Sequence, residues 1–227
     1  MIILQIDASS EYCSVALSRD GLLLAMEINS EPFQHGRDIN VLIDRLLKTT
    51  RYKLHDISAI SVNKGPGSYT ALRIGMATAK GLCYGLDIPL IAPTAFEILL
   101  DYAISEWPEA AYYVPMIDAR RMEVYTINPV ATLYEAITPT ALVLDELSFS
   151  TWKEEVLCFV GSGADKWKTL WPDQVPWIVD NTEIDAGMMS SISYEFFQKN
   201  NISDLFTTTP LYIKKPNITR SKKEYFN

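Results

Sequence analysis

The chain of 227 residues has few of the residues that build metal sites and disulfides. Its two histidines, His35 and His55, form neither an H-x-x-x-H nor an H-E-x-x-H motif, so we predict no histidine-based metal site. The three cysteines, Cys13, Cys83 and Cys158, are odd in number and far apart, and they include no C-x-x-C pair. This spacing argues against a disulfide framework and favours a reducing compartment, with all three as small core residues.

Long apolar runs and the motifs of several enzyme classes are also missing. No window approaches the ~18 apolar residues that a membrane span needs, and no basic region or cleavage site follows Met1. We therefore expect a cytoplasmic protein with neither a signal peptide nor a membrane segment. The chain has no Gly-Gly pair, no G-x-x-x-x-G-K-S/T loop and no G-x-S-x-G elbow. A Cys–His or Ser–His nucleophile stays open, although no pattern favours one.

The charge of the chain is negative and unevenly distributed. The net charge is −8, and residues 206–227 carry five basic residues against Glu224, a net of +4. The remainder then carries −8 − 4 = −12, which repels a phosphate backbone, so we expect no tight unaided binding to nucleic acid. The basic tail could touch an acidic partner, although such tails are more often simply solvated.

The hydrophobic pattern predicts two lobes of strands and helices. In residues 1–106 the predicted order is β-β-β-α-β-α-β-α, a mixed sheet with attached helices and hence an α/β fold. The strands are predicted at 2–7, 12–18, 22–28, 57–62 and 89–92, and the helices at 37–49, 70–86 and 94–104, the last capped by Thr94. Trp107 and Pro108 mark a boundary to a smaller second lobe, residues 107–227. Its elements are predicted at 112–118, 122–128, 157–160 and 177–179 as strands and at 185–198 as a helix.

The stretch NKGPGSYTALRIG, residues 63–75, contains a glycine loop between a strand and a helix. Its two glycines are only two residues apart with no Gly-Lys pair, and the G-x-G-x-x-G fingerprint fails where Thr70 stands. We therefore favour a structural turn, capped by the Ser68 or Thr70 side chain, over a phosphate cradle at this helix N-terminus. The loop residues are Gly65, Pro66, Gly67, Ser68 and Thr70.

The helix predicted at 70–86 has an unusual number of small residues. Ala71, Gly75 and Ala79 are spaced four apart, as are Gly81 and Gly85. Such rows let another backbone approach closely. One helix does not need small residues on several sides to face a single sheet, so we predict that it packs on its own sheet and also offers a seam to a second protein.

Two polar groups lie near predicted strand ends. Asp7 ends the first strand and is followed by Ala8-Ser9-Ser10, which could hold a metal–nucleotide complex, although such an aspartate more often anchors a turn. The second group surrounds a strand turn, where an internal ion pair is the simpler account. It consists of Asp118, Arg120, Glu123 and Tyr125.

Several segments together resemble the TsaB family, also called YeaZ. ILQIDASSEYCSVAL is similar to the family's opening strands, HGRDINVLIDRLL to its first helix, and NKGPGSYTALRIGMATAKGL to its most specific motif. MIDARRMEVY and PLYIKKPN resemble its second-lobe and C-terminal signatures. One departure is Ala71, where the family usually has glycine. Alanine favours a helix there and narrows the space for the backbone.

The resemblance implies a two-lobed actin-like, Hsp70-like ATPase (ASKHA) fold, with mixed sheets flanked by helices, and a non-catalytic role without cofactor or metal. The family is the partner subunit in bacterial threonylcarbamoyladenosine synthesis on tRNA. It pairs with TsaD and works with the ATPase TsaE, so we expect tRNA to be met only through the complex, and a possible homodimer in isolation. TsaD carries metal-binding histidines on its first helix, whereas only His35 occurs here. The alternative is a stand-alone ATP-dependent enzyme of this fold, a kinase or a peptidase.

These expectations place the partner interface on the helices 37–49 and 70–86. The expected interface residues are His35, Ile39, Ile43, Tyr69, Arg73, Met76, Ala79, Lys80 and Cys83. Arginine at Met76 or Ala79 should then block the partner and leave the fold intact. The residues expected to contact tRNA within the complex are Lys214, Lys215 and Arg220.

Overall fold

Five strands form the sheet of the first lobe. The structure, a computed structural model, describes residues 1–168, 170 and 176–214. The strand order is β3-β2-β1-β4-β5, with β1 antiparallel to β2 and parallel to β4. The strands are β1 (Ile2–Asp7), β2 (Ser14–Arg19), β3 (Leu22–Ile28), β4 (Ala59–Val62) and β5 (Leu90–Ile91).

Two long helices cover one face of this sheet. They are α1 (His35–Thr50) and α2 (Tyr69–Leu86), which contact each other and share one apolar core with the sheet. The buried residues of α1 recur every three or four positions, as an amphipathic helix requires. α3 (Ala95–Glu106) follows β5, and its Thr94 hydroxyl accepts the Glu97 N–H at 3.1 Å, so the predicted cap is confirmed.

The second lobe repeats the topology of the first. Its order is β8-β7-β6-β9-β10, where β6 is again antiparallel to one neighbour and parallel to the other. Its strands are β6 (Tyr112–Asp118), β7 (Glu123–Thr126), β8 (Thr140–Val143), β9 (Leu157–Val160) and β10 (Ile178–Asp180). Its helices are short, α4 (Asp165–Lys168) and α5 (Ser190–Gln198). A single 3₁₀ turn lies between β8 and β9 at Ser150–Trp152, and another lies in the first lobe, before β4, at Leu54–Asp56.

Helices cross between the lobes, so the expected boundary at residue 106/107 separates the sheets but not the cores. Phe96 and Leu99 of α3 pack with Tyr113 of the second sheet. Conversely, α5 packs Phe197 against Ile3 of the first sheet, and its Ser193 hydroxyl donates to Ser61 at 2.7 Å. The second lobe is therefore completed by α3, which follows the strands of the first lobe in sequence. The first lobe is completed by α5, which follows the strands of the second.

The predicted element order of the first lobe is confirmed, with shifts at the ends. The second strand begins at Ser14 rather than at residue 12. In the second lobe, β10 begins at Ile178 rather than at 177, and α5 begins at Ser190 rather than at 185. β8 was not predicted, because its four residues are only partly buried and have no clear alternation. Among the described residues, no helix has the length and apolarity to cross a bilayer.

Candidate functional site

Asp7 lies at the end of β1 and is buried. Its Oδ1 atom accepts the Asn63 side-chain amide at 2.8 Å and the Ser9 N–H at 3.4 Å. Burial raises its pKa from 3.8 to about 6, and these hydrogen bonds oppose the increase. In this setting Asp7 anchors two loops, which is the simpler of the two roles that the sequence left open.

The glycine loop closes on the loop that follows β1. The Gly65 N–H donates to Asn63 Oδ1 at 2.8 Å, and the Ser68 N–H donates to Ser9 O at 2.8 Å. A Cβ added to Gly67 would stand 2.3 Å from Ser9 O, so only glycine permits this approach. Gly65 has φ +99°, and its carbonyl accepts the Ala95 N–H at 2.8 Å. The Gly65 and Ser68 amides therefore already have hydrogen-bond partners within the protein.

The predicted side-chain cap of α2 is wrong. Ser68 occupies the N-cap position, but its side chain makes no capping bond, and Thr70 lies inside the helix. The Ser68 carbonyl accepts the Leu72 N–H at 2.9 Å as the first helical bond. The backbone contact of Ser68 with Ser9, rather than the predicted hydroxyl cap, therefore positions the start of α2. Pro66 follows Gly65 through a cis peptide bond.

The small residues of α2 fall on two different sides. Gly75 and Ala79 are buried, and a Cβ on Gly75 would stand 3.1 Å from Ala8 Cβ, so this row brings the helix close to the first sheet. Ala71 is buried in the same core. Gly81 and Gly85 are exposed and have no atom within 4 Å of an added Cβ. Internal packing explains the first row only.

Six of the nine expected interface residues lie in the chain's own interior. Burial against the first sheet excludes them from the free surface of this chain, and arginine at Met76 or Ala79 would disrupt the fold. They are His35, Ile39, Ile43, Met76, Ala79 and Cys83. The Nε2 atom of His35 lies 3.1 Å from Ser10 O, so this histidine has a structural contact. Periodicity located the two helices but did not indicate which side of each is free.

The other three interface residues lie at the surface. Tyr69 and Arg73 are exposed, and Lys80 is half-buried with its ammonium donating to Phe206 O at 3.2 Å. The Arg73 guanidinium carbon lies 4.2 Å from the Tyr69 ring centroid, and its Nε donates to the Tyr212 hydroxyl at 3.0 Å. Arg73 therefore joins α2 to a segment that follows the whole second sheet.

Residues 201–214 run back over the first lobe. The Ser203 N–H donates to Leu90 O at 2.8 Å on the outer side of β5, and the Leu211 N–H donates to Lys64 O at 2.7 Å. Leu205 packs against the core under α2. The sequence singled out PLYIKKPN by resemblance alone. Nothing in the local pattern indicated that Tyr212, in its described part, contacts α2.

We expect Arg73→Ala to loosen this segment. Loss of the stacked guanidinium and its hydroxyl bond should weaken the attachment of residues 201–214 to α2. Amide exchange at Leu211 should then accelerate about fivefold in hydrogen-exchange mass spectrometry. Arg45→Ala, which removes a comparable exposed guanidinium bonded to Glu27, serves as the control. Equal protection of Leu211 in both variants would show that Arg73 does not hold the segment.

The polar group of the second lobe forms ion pairs, but with partners the sequence did not indicate. Asp118 pairs with Lys166, and Glu123 pairs with Lys214. Arg120 has φ +72°, and its N–H, not its guanidinium, bonds the Asp118 carboxylate. The Lys214 ammonium, an expected tRNA contact, is thus bound to a carboxylate, while Lys215 and Arg220 lie outside the described residues.

The second lobe contains a glycine turn of its own, GSGADKW, residues 161–167. Its glycine amides are also hydrogen-bonded within the protein. The Gly161 N–H donates to Asp180 O at 2.9 Å, and the Gly163 N–H donates to Met116 O at 3.0 Å. A Cβ on Gly163 would stand 2.8 Å from Val124 Cγ1. In the described part of the chain, no three histidine, cysteine, aspartate or glutamate side chains are grouped to hold a metal ion.

Comparisons with known proteins agree on one group of relatives. A family model described as "TsaD: tRNA N6-adenosine threonylcarbamoyltransferase" matches residues 32–220. The "tRNA threonylcarbamoyladenosine biosynthesis protein TsaB" of Bacillus subtilis is 33% identical over 165 residues, which cover 71% of this chain and 71% of that protein. The protein of that name in Escherichia coli is 38% identical over 127 residues, 55% of this chain and 53% of that protein. The chain thus spans about half the length of the latter relative.

A solved structure confirms the fold. YeaZ from Pseudomonas aeruginosa superposes with a TM-score of 0.77 over 93% of this chain and 99% of that one, at 23% identity. Together with the family model, this match confirms the expected two-lobed ASKHA-like α/β fold with mixed sheets flanked by helices.

Proposed function

Because the chain belongs to the TsaB (YeaZ) family, we propose that it is a non-catalytic subunit of a tRNA threonylcarbamoyltransferase complex. Its role is to bind and support a TsaD-type protein, with TsaE as a further component. The complex transfers threonylcarbamoyl from its adenylate to the adenosine 3′ of the anticodon. We place the protein in the cytoplasm.

The observation that carries the non-catalytic role is the closure of both glycine turns. In the first lobe the Gly65 and Ser68 amides bond Asn63 and Ser9, and in the second lobe the Gly161 and Gly163 amides bond main-chain carbonyls. A phosphate cradle needs such N–H groups free to face the anion. The Asp118 carboxylate is likewise engaged, by Lys166. These contacts support a scaffold rather than a kinase or peptidase.

The partner site that we propose is the exposed side of the two long helices. Gly81 and Ala77 allow close approach of another backbone, and Tyr84, 75% exposed, offers the aromatic anchor that interface centres favour. A stable seam here should bury about 1,200–2,000 Å² in total. We define the α1–α2 surface by Gly36, Val41, Arg73, Ala77, Gly81 and Tyr84.

We expect Gly81→Arg to weaken binding of a TsaD-type protein about tenfold or more. The arginine would hold the two backbones apart at the centre of the α1–α2 surface, whereas within the chain it meets open space. Isothermal titration calorimetry with the purified partner measures the loss, and the melting temperature of the isolated variant should stay close to that of the native chain.

Leu147→Arg is the matched control, since Leu147 is 77% exposed and lies in the second lobe. It should bind the partner with native affinity. Native binding by Gly81→Arg would place the partner elsewhere on the molecule. Steady ATP turnover by the pure chain, if it is lost in Asp7→Ala, would argue instead for the stand-alone enzyme.

Direct binding of tRNA by the isolated chain is not part of the proposal. Outside residues 206–227 the net charge is −12, and the Lys214 ammonium is already paired with Glu123. Charge repulsion should therefore outweigh the basic segment unless a partner contributes cations. Tight tRNA binding by the lone chain at physiological salt would contradict this part.

A further inference from the structure

Positive charge is concentrated at one corner of the first lobe, where α1 ends. Residues 45–55 contain four basic side chains and no aspartate or glutamate, a formal charge of +4 in a chain whose net charge is −8. Arg19, at the end of β2, belongs to the same corner, because its guanidinium carbon lies 5.6 Å from the ring centroid of Tyr52. Such a patch on an acidic protein attracts anionic groups to that place. The basic residues of the stretch are Arg45, Lys48, Arg51 and Lys53.

Acidic side chains of the first lobe neutralise two of these cations. Asp44 pairs with Lys48 at 2.6 Å, and Glu27 of β3 pairs with Arg45 at 3.4 Å. Lys48 and Arg45 therefore already have carboxylate partners within the chain, and an anionic ligand would have to compete for them.

The other cations of the corner have no such partner. Asp20, which follows Arg19, pairs instead with the amino group of Met1 at 2.7 Å. Asp56 offsets one charge, but it does so by accepting the main-chain N–H of Lys53 at 2.8 Å. Within the ranges that the structure describes, three exposed cations form no ion pair with a carboxylate. They are Arg19, Arg51 and Lys53.

A groove with apolar walls opens beside these cations. Its volume is ≈ 290 Å³, and it lies between Leu24 and Ala25 of β3 on one side and Tyr52 on the other. The Thr50 hydroxyl, which also lines it, donates to Leu46 O at 2.7 Å and keeps its lone pairs free to accept. Apolar walls with a few placed cations suit a ligand that has both apolar and anionic groups. The remaining lining residues are Arg19 and Thr49.

The groove lies along the free edge of the first sheet. β3 ends that sheet, and no strand of the described residues pairs with its outer side, whereas the opposite edge is covered by the bond from Ser203 to Leu90 of β5. β3 contains neither lysine nor proline, and Leu22 and Leu24 are 75% and 43% exposed. Such an edge offers its unpaired main-chain groups to an additional strand.

We propose that this corner binds an extended acidic segment of another protein, which adds as a strand to the outer side of β3. The main-chain groups of β3 hold the segment, and its acidic side chains meet Arg19, Arg51 and Lys53. The corner shares no residue with the α1–α2 surface, so the inference goes beyond the proposed function and does not depend on it.

The two faces of the sheet call for different side chains in the segment. The groove and the cations lie on the α1 face, whereas Leu23 and Met26 lie beside Gly187, which precedes α5 on the other face. Successive side chains of a strand point to opposite faces. A segment that alternates acidic and apolar residues therefore places its carboxylates at the cations and its apolar side chains against Leu23 and Met26.

A peptide fits this corner better than a nucleic acid does. The corner is small, and a phosphate backbone that extends past it meets a body whose charge is −12 outside residues 206–227. The apolar groove and the open main-chain edge also match an extended peptide, since nucleotides do not form the hydrogen-bond ladder of a sheet.

Fluorescence anisotropy tests the proposal with a labelled synthetic decapeptide of alternating glutamate and valine. We expect the native chain to bind it with a dissociation constant of about 10–100 μM at low salt, and more weakly as salt is added. The same peptide with lysine in place of glutamate should bind at least about tenfold more weakly.

Two charge-matched variants locate the site. Arg19→Glu/Arg51→Glu should weaken binding of the glutamate peptide about tenfold or more, because it reverses two of the three free cations. Lys153→Glu/Lys168→Glu changes the net charge of the chain by the same amount at exposed positions of the second lobe, and should bind as the native chain does.

Methylation of the peptide nitrogen atoms tests whether the segment adds as a strand. Alternate N–H groups of a strand point to the same edge, so only one set faces β3. N-methylation of either the glutamates or the valines should abolish binding, and methylation of the other set should be tolerated, although both peptides carry the same charge.

The proposal fails on any of four results. The glutamate peptide and its lysine counterpart bind equally, or neither binds at about 1 mM. The two double variants lose the same affinity, so that only net charge matters. Both N-methylated peptides bind as well as the parent, which excludes pairing with the edge. A single-stranded RNA of equal charge binds more tightly than the peptide and is lost in Arg19→Glu/Arg51→Glu, which would assign the corner to nucleic acid.

Discussion

Gly67→Ala should destabilise the protein by about 3 kcal/mol or more. The new methyl group would lie 2.3 Å from Ser9 O and 2.9 Å from Ser9 Cβ, and main-chain atoms cannot yield as a flexible side chain does. The loop after β1 and the turn before α2 must separate, which would also lengthen the Ser68 N–H bond to Ser9 O. In a chain of this size the change should lower the melting temperature by about 6–12 °C.

Gly81→Ala is the matched control for that experiment. Gly81 lies in the same helix that the turn introduces, but an added Cβ there meets nothing within 4 Å. Because alanine is the better helix former, this variant should gain about 0.5–1 kcal/mol. A Gly67→Ala chain that melts within about 2 °C of the native chain would show that the two loops are not held together by close approach.

Asp7→Asn should stabilise the protein by up to about 3 kcal/mol at pH 7. A pKa raised from 3.8 to about 6 means that folding makes ionisation of this buried carboxyl harder. Asparagine removes the charge and still presents an oxygen to the Asn63 amide. Its own amide hydrogens need partners, so the gain should fall below the full figure. Chemical denaturation of both proteins measures the difference.

The pH dependence has the opposite sign to that of an ordinary paired carboxylate. The folded state holds the Asp7 proton more tightly than the unfolded state, so the contribution of its raised pKa to stability is complete below pH 3.8. That contribution is lost as the pH rises from 3.8 to about 6, and above that pH the stability no longer changes through Asp7. The gain from Asp7→Asn should therefore vanish below pH 3.8. A gain from Asp7→Asn that does not change with pH would refute the assignment to Asp7.

Periodicity was enough to predict the first lobe but not the outward side of its second helix. Helical spacing along α1 follows directly from burial on one side, so this helix was found within a few residues. β2 was also found within a few residues, although the structure buries both of its faces. In α2 small residues lie on both sides, and alanine or glycine is compatible with either the core or an interface. The packing of Ala8, Val62 and Ile6 against Gly75 decides that the Gly75 side faces the sheet.

Contacts between distant segments account for the rest of the error. Asp118 and Glu123 find their lysines 48 and 91 residues further along, so the local grouping with Arg120 was misleading. The Ser68 cap failed for a similar reason, since a carbonyl on another loop already fixes the turn. Local sequence carries the propensity for a turn but not the identity of the loop that it meets.

The return of residues 201–214 to the first lobe has a consequence for synthesis. A ribosome delivers β1 to α2 long before it delivers Ser203 and Leu205, which complete the β5 edge and the core beneath α2. The growing chain must therefore carry an unfinished first lobe, with that edge bare, until the strands of the second sheet have also been made. The emergence of residues 201–214 from the exit tunnel, rather than that of the first lobe's own strands, sets the earliest moment at which this lobe can close.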